Sequence, residues 1–216
     1  MRYFCITLNG STARQEACKK RFEEAGIEVE FFDGVDGRKL GLEPTIPYMV
    51  DQPQWKPGDG PMYFITLGHV GCSLSHMFLW NTLKHIDGED EFTIFEDDVI
   101  LCDEFKAEFD RLRNDAPKDW SILFLGHCCL PTQHLVITPG LVETNYPPLC
   151  THAYCVKKSA LDHLFRTNMV AWGPIDIQMR ARSLPNMRFY SMVPPIADQL
   201  STKGDNTPEG FKSLTV

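Results

Sequence analysis

Phe92-Thr93-Ile94-Phe95-Glu96-Asp97-Asp98-Val99-Ile100-Leu101 decides how this chain is read. Four apolar or β-branched residues form a strand-like run, three carboxylates follow, and a second apolar run closes behind them. The flanks argue for an interior strand end rather than a surface loop. Adjacent carboxylates repel one another and resist desolvation, so a fold that holds them inside needs positive charge beside them. A hard divalent cation meets that need, because Mg²⁺ and Mn²⁺ favour carboxylate oxygen and keep positions open for phosphate oxygens. The competing reading is a solvated acidic turn, which is how Asp87 to Glu91 just upstream reads.

Composition narrows the classes. The 216 residues suit one globular domain, and 43% hydrophobic with 23% charged residues is enough to build a core. A net charge of −8 and the lack of a Lys/Arg stripe argue against a nucleic-acid partner. No apolar run reaches the length of a membrane span, so no transmembrane segment is expected. The opening residues turn polar by Asn9, too early for a signal peptide, which points to a cytoplasmic protein. The eight cysteines are scattered and read as buried reduced thiols. His127-Cys128-Cys129 with His134 lacks the C-x-x-C pair of a zinc site.

Working outward from the acidic triplet, strands and helices alternate. Tyr3 to Leu8 reads as a strand, and Ser11 or Thr12 caps a helix to about Ala25 that Gly26 stops. Ile27 to Phe32 is a second strand. Arg38 to Thr66 is long and irregular, and its Tyr48, Trp55, Tyr63 and Phe64 suit either a lid over a sugar or rings pinned to the core. Leu67 to Ile86 is the clearest helix, with Val70, Leu74, Met77 and Phe78 on one face; Gly68 and Gly71 near its start allow a strand or ligand to come close. Asp103 caps the helix after the triplet. Trp120 to Leu125 is a buried strand, and Leu135 to Val142 reads as a hairpin. Ala153 to Val156 precedes a helix capped by Ser159, and Met187 to Val193 is the last strand. Residues 1–200 form the domain and 201–216 a polar tail.

This alternation predicts an α/β fold with a mixed, mostly parallel sheet and helices on both faces. Ligands of such sheets bind at the carboxyl ends of strands, where Glu96 to Asp98 fall. The chain has neither a P-loop nor a GxGxxG, which argues against an NTPase and a dinucleotide oxidoreductase. A strand ending in three carboxylates suits a metal that neutralises a diphosphate leaving group. Asp98, the furthest along, is best placed as ligand, and Glu96 to reach a ribose hydroxyl or support the metal.

Several segments, in order, resemble the family 25 glycosyltransferases, which include lipooligosaccharide galactosyltransferases and collagen hydroxylysine galactosyltransferases. Cys5-Ile6-Thr7-Leu8-Asn9 with Ser11 and Arg14 resembles the family's I-N-L opening, and Phe32 to Gly37 its A-V-D-G stretch. Gly68 with Gly71-Cys72-Ser73-Leu74-Ser75-His76 and Trp80 resembles G-E-x-G-C-x-x-S-H, and Phe95-Glu96-Asp97-Asp98-Val99 resembles L-E-D-D-V. Leu141-Val142-Glu143, Thr151-His152-Ala153-Tyr154 and Gly173-Pro174-Ile175-Asp176 resemble later segments. The resemblance implies a GT-A-like domain, a UDP-sugar donor, Mn²⁺ or Mg²⁺ as cofactor, and inversion at the anomeric carbon. It makes galactose the default sugar and a hydroxyl of a glycan or protein the acceptor, in lipopolysaccharide or glycoprotein biosynthesis.

Under that resemblance Asp98 and Glu96 are the metal candidates. Asn9, Arg14, Ser75, His76, Glu96 and Asp97 are the donor-binding candidates. Asp176 is the candidate general base, with helix capping as its competing role. Arg14 has a surface pair with Glu16 or Glu23 as its alternative, and His76 a structural one. The chain departs from the pattern at His69, where the family has Glu, and at Gly10, where it has Asp. It also lacks the late histidine many GT-A enzymes supply to the metal, for which Gln199, Asp198, Asp205 or water are the candidate replacements. The alternative function is a non-catalytic sugar-nucleotide or glycan-binding domain.

Overall fold

A computed structural model describes residues 1–41, 45–47, 64–171, 173–182 and 187–200. Among the described residues, eight strands form one sheet in the order β2-β1-β5-β10-β7-β11-β9-β8. These are β1 (Arg2–Leu8), β2 (Val29–Gly34), β5 (Glu91–Glu96), β7 (Ile122–Phe124), β8 (His134–Thr138), β9 (Leu141–Thr144), β10 (Ala153–Lys157) and β11 (Phe189–Met192). Two short pairs lie apart from it: β3 (Thr45–Pro47) with β4 (Phe64–Thr66), and β6 (Val99–Leu101) with β12 (Ala197–Gln199). The helices are α1 (Thr12–Glu24), α2 (Leu67–Leu83), α3 (Phe105–Asp115), α4 (Lys158–Asn168) and α5 (Ile175–Arg182). Only β9 and β10 run against the common direction of the large sheet, so it is mixed but mostly parallel, as the alternation predicts.

The two-residue period of each strand builds two cores. Phe4 and Ile6 of β1, Phe92 and Ile94 of β5, and Tyr154 and Val156 of β10 face α2, α4 and α5. Cys5, Phe95 and Cys155 of the same strands face α1 and α3, where they meet Phe22, Phe105 and Phe109. A sheet buried on both faces explains why these strands read as continuous apolar runs. Each fully buried Phe or Leu contributes roughly 1.5–3 kcal/mol to this packing.

Local chemistry departs from expectation at several ends. Thr66 caps α2: its Oγ1 accepts from His69 N at 3.1 Å, while Thr66 N donates to His69 Nδ1 at 3.2 Å. This reciprocal pair is a capping box with histidine in the place Glu usually takes. Asp103 does not cap α3, whose N-cap is Glu104, and Ser159 lies inside α4 rather than capping it. Phe78 is half exposed, and Leu79 and Trp80 fill the core instead. At Gly71 of α2 it is backbone that comes close. A Cβ on Gly71 would sit 2.4 Å from the Val35 carbonyl oxygen, and one on Gly37 would sit 1.8 Å from that of Leu67.

The reading of all eight cysteines as reduced thiols is corrected: Cys128 and Cys150 form a disulfide. They are 22 residues apart, but the β8–β9 hairpin folds the intervening chain back. The Cys129–Leu149 bridge then holds their Cα atoms 5.9 Å apart. Among the described residues, no helix is long and apolar enough to cross a membrane. The aromatics Tyr48, Trp55 and Tyr63, the side chain of Phe64, and the tail from Ser201 lie outside the described residues.

Candidate active site

Register assembles the acidic triplet. Strands β1 and β5 are parallel, with Ile6 opposite Glu96, so Thr7 falls beside the next residue, Asp97. Thr7 Oγ1 donates to Asp97 Oδ2 at 2.8 Å. Helix α1 follows β1 and brings two arginines to the same residue. Arg14 Nη1 lies 3.2 Å from Asp97 Oδ1, and Arg21 Nη2 donates to the Asp97 carbonyl at 2.8 Å. Asp97 is buried, and these contacts satisfy the charge that burial would otherwise disfavour.

Strand β10 is antiparallel to β5, so its leading residues reach the carboxyl end of β5. Glu96 N donates to the His152 carbonyl at 3.0 Å, and Thr151 Oγ1 donates to Glu96 Oε1 at 2.7 Å. Helix α2 adds His76, whose Nε2 lies 3.1 Å from Glu96 Oε1 and whose Nδ1 lies 2.9 Å from Tyr154 Oη. Trp80 Nε1 donates to that same Tyr154 oxygen at 2.8 Å. One assignment of protons serves every bond: the Tyr154 hydroxyl donates to His76 Nδ1, and His76 Nε2–H donates to Glu96. Burial pushes the Glu96 carboxyl up, but the hydrogen bonds from His76 and the Thr151 hydroxyl help to outweigh it, and Glu96 is held below its ordinary range. Glu96 is therefore an ionised acceptor held from behind.

Asp98 is different. Its Oδ1 is buried without a hydrogen-bond partner. Burial, together with the neighbouring Glu96 and Asp97 charges, raises its pKa to about 7 against the opposing pull of Arg14. A buried carboxylate oxygen without a partner, beside two other acids, has the oxygen chemistry that suits a hard divalent cation. Asp98 is the candidate ligand for such an ion, with Glu96 beside it. The C-terminal segment lies against the same spot: β12 pairs with β6, Gln199 is opposite Val99, and Leu200 N donates to the Asp98 carbonyl at 2.9 Å. Asp198 and Gln199 thus lie near the triplet, and Asp205 is outside the described residues.

Asp176 sits in the first turn of α5. Its Oδ2 accepts from Cys150 N at 3.0 Å and its Oδ1 from Ile177 N at 2.8 Å. Both oxygens are thus oriented by backbone, and each keeps a lone pair for a further proton. Asp176, Glu96 and Asp98 all lie close enough to the Cys72 thiol to raise its pKa, although burial is the larger cause. The three acids therefore share one region of the molecule.

Ser75, expected at the donor, is buried, and its hydroxyl is engaged: it accepts from Val35 N at 2.8 Å and donates to the Gly71 carbonyl at 2.6 Å. Asn9 is exposed in the turn after β1. Tyr154, Thr151 and Thr7 have site contacts that sequence reasoning did not assign. Only the parallel β1–β5 register makes Thr7 and Asp97 neighbours. The zinc alternative at His127 and His134 is closed, since Cys128 is in the disulfide and each histidine ring is bonded to a backbone carbonyl.

Residues 1–134 match the family model for glycosyltransferase family 25 (LPS biosynthesis protein). A "Glycosyltransferase 25 family member" from Aedes aegypti is 30% identical over 128 residues, 57% of this chain and 20% of that protein. "Procollagen galactosyltransferase 2" from Mus musculus is 29% identical over 154 residues, 66% of this chain and 24% of that protein. "Inactive glycosyltransferase 25 family member 3" from Mus musculus is 29% identical over 149 residues, 66% of this chain and 25% of that protein. The chain thus spans about a fifth to a quarter of the length of these curated relatives. The matched family segment includes the acidic triplet and α2 and ends before Thr151 and Asp176.

Proposed function

The chain belongs to glycosyltransferase family 25, and on that premise we propose that it is an inverting, metal-dependent glycosyltransferase. It moves a sugar from a UDP-sugar to a hydroxyl of a glycan or protein acceptor. The observation that carries this reading is Asp98, whose buried Oδ1 lacks a partner and whose pKa is raised to about 7 at the carboxyl ends of two parallel strands. Mn²⁺ or Mg²⁺ bound there would stabilise the charge that develops on the leaving diphosphate. Glu96, ionised and held by His76 and Thr151, accepts a donor hydroxyl. Arg14, at the end of the first helical turn after β1, bears on Asp97 and fixes the triplet's centre. Asp176, oriented by two backbone N–H groups, takes the acceptor proton. Galactose as the sugar is supported by the name of the mouse procollagen relative. Cytoplasmic residence, expected from the sequence, stays part of the proposal; the Cys128–Cys150 bond speaks against it, because disulfides persist in oxidising compartments.

A second reading, a sugar-nucleotide binder without turnover, is favoured by the engaged oxygens of Asp176 and by the relative named inactive. Hydrolysis of a panel of UDP-sugars with Mn²⁺ separates the two. An enzyme releases UDP from one sugar preferentially, and Asp176→Asn lowers that rate at least ~100-fold while UDP binding is kept. Binding without release from any sugar removes the catalytic reading.

A further inference from the structure

Cys72 and His76 lie four residues apart on α2, so their side chains stand one above the other on a single helix face. That face meets the end of β5, where Glu96 projects. The Cys72 Sγ, a His76 ring nitrogen and a Glu96 carboxylate oxygen all lie within 4.8 Å of one another. Thiolate, imidazole and carboxylate together form a donor set for a thiophilic cation, quite unlike the oxygen set at Asp98.

The surroundings hold the set in place. His76 is wholly buried, and its Nδ1 is fixed by Tyr154 Oη, which in turn accepts from Trp80. A partner on the far ring nitrogen is what orients a metal-binding histidine. Thr151 Oγ1 orients Glu96. Cys72 and Glu96 are only partly buried, so the cluster opens to solvent on their side.

We propose that Cys72, His76 and Glu96 form a site for a thiophilic divalent cation of the Zn²⁺ or Co²⁺ type, which shares Glu96 with the acidic triplet but differs from the oxygen site at Asp98 in its thiol and imidazole. Tetrahedral ligands on zinc stand roughly 3.5 Å apart, and His76 Nε2 and Glu96 Oε1 already lie 3.1 Å apart. Binding releases the thiol proton to solvent. The imidazole proton moves from Nε2 to Nδ1, where Tyr154 Oη accepts it, and Nε2 takes the cation. The fourth position is left to water, as in sites with three protein ligands. Occupancy draws Glu96 away from its place beside the donor, so thiophilic cations act as inhibitors of the proposed transfer. The site itself rests on this geometry and not on the proposed activity.

Cobalt alone, added to the metal-free full chain, is the probe. A thiolate-to-cobalt charge-transfer band in the near ultraviolet is expected, saturating at one equivalent and displaced by Zn²⁺. The band is lost in Cys72→Ser and retained in Asp98→Asn, which separates this site from the one in the functional reading. Wild-type protein provides a check that needs no variant: Zn²⁺ should shield Cys72 from alkylation, read by peptide mass spectrometry, while exposed Cys102 and Cys129 still react. Absence of the band, a band that persists in Cys72→Ser, or alkylation of Cys72 unaffected by Zn²⁺ overturns the proposal.

Discussion

Asp98 shows what the triplet costs the protein. Its pKa, 3.8 ordinarily and about 7 in the fold, means that between these values the folded chain holds a proton the unfolded chain has released. The contribution of Asp98 to stability therefore falls as pH rises from about 4 to about 7 and levels off above that. Asp98→Asn should remove this decline and raise the unfolding free energy at pH 8 by on the order of 2 kcal/mol. Urea denaturation across that pH range checks it, and parallel profiles for both proteins would contradict it. The residues themselves announced the triplet, because three acids between apolar runs are visible in one line of sequence. Their division of labour was not legible. Asp97 is neutralised by Thr7, Arg14 and Arg21, Glu96 is fixed by His76 and Thr151, and only Asp98 is left unsatisfied. Those partners come from β1, α1, α2 and the segment before β10, and none from β5 itself.

At the scale of elements, α2 shows how a departure from a family pattern keeps its physical role. His69 stands where the resembling sequences have Glu, and its Nδ1 accepts the Thr66 N–H that a Glu carboxylate would take in a capping box. His69→Glu should leave stability within about 0.5 kcal/mol of the parent, whereas His69→Ala should lose about 1 kcal/mol. Chemical denaturation of the two variants decides it, and equal losses would show that the reciprocal bond contributes nothing. Helix α2, β1 and β5 were legible because their apolar periodicity is long and clear. The ends of α3 and α4 were not, since Asp103 and Ser159 are good capping residues that tertiary packing placed elsewhere. The pair β6–β12 escaped notice because three-residue strands carry too few side chains to show a period.

At the scale of the whole molecule, one sheet with two buried faces explains both the core and the site. Helices α1 and α2 pack on opposite faces, yet both start next to the carboxyl ends of strands, which is why Arg14 and His76 converge on adjacent acids. The alternation of strands and helices made this architecture readable. The Cys128–Cys150 link was not readable, because it depends on a hairpin turning the chain back over 22 residues. Closing a loop of that length stabilises by about 3 kcal/mol in the chain-entropy account. Reduction should therefore lower the unfolding free energy by up to that amount, and calorimetry with and without a thiol reductant measures it. Unchanged stability would place the bond outside the cooperative unit. The central claim, that Asp98 holds a divalent cation for a sugar-nucleotide diphosphate, is tested most directly by the thermal stability of the full chain with UDP, with and without Mn²⁺. UDP should raise the unfolding temperature only when Mn²⁺ is present, and Asp98→Ala should abolish the rise. A UDP response that ignores the metal, survives in Asp98→Ala, or is absent at every Mn²⁺ concentration would contradict it.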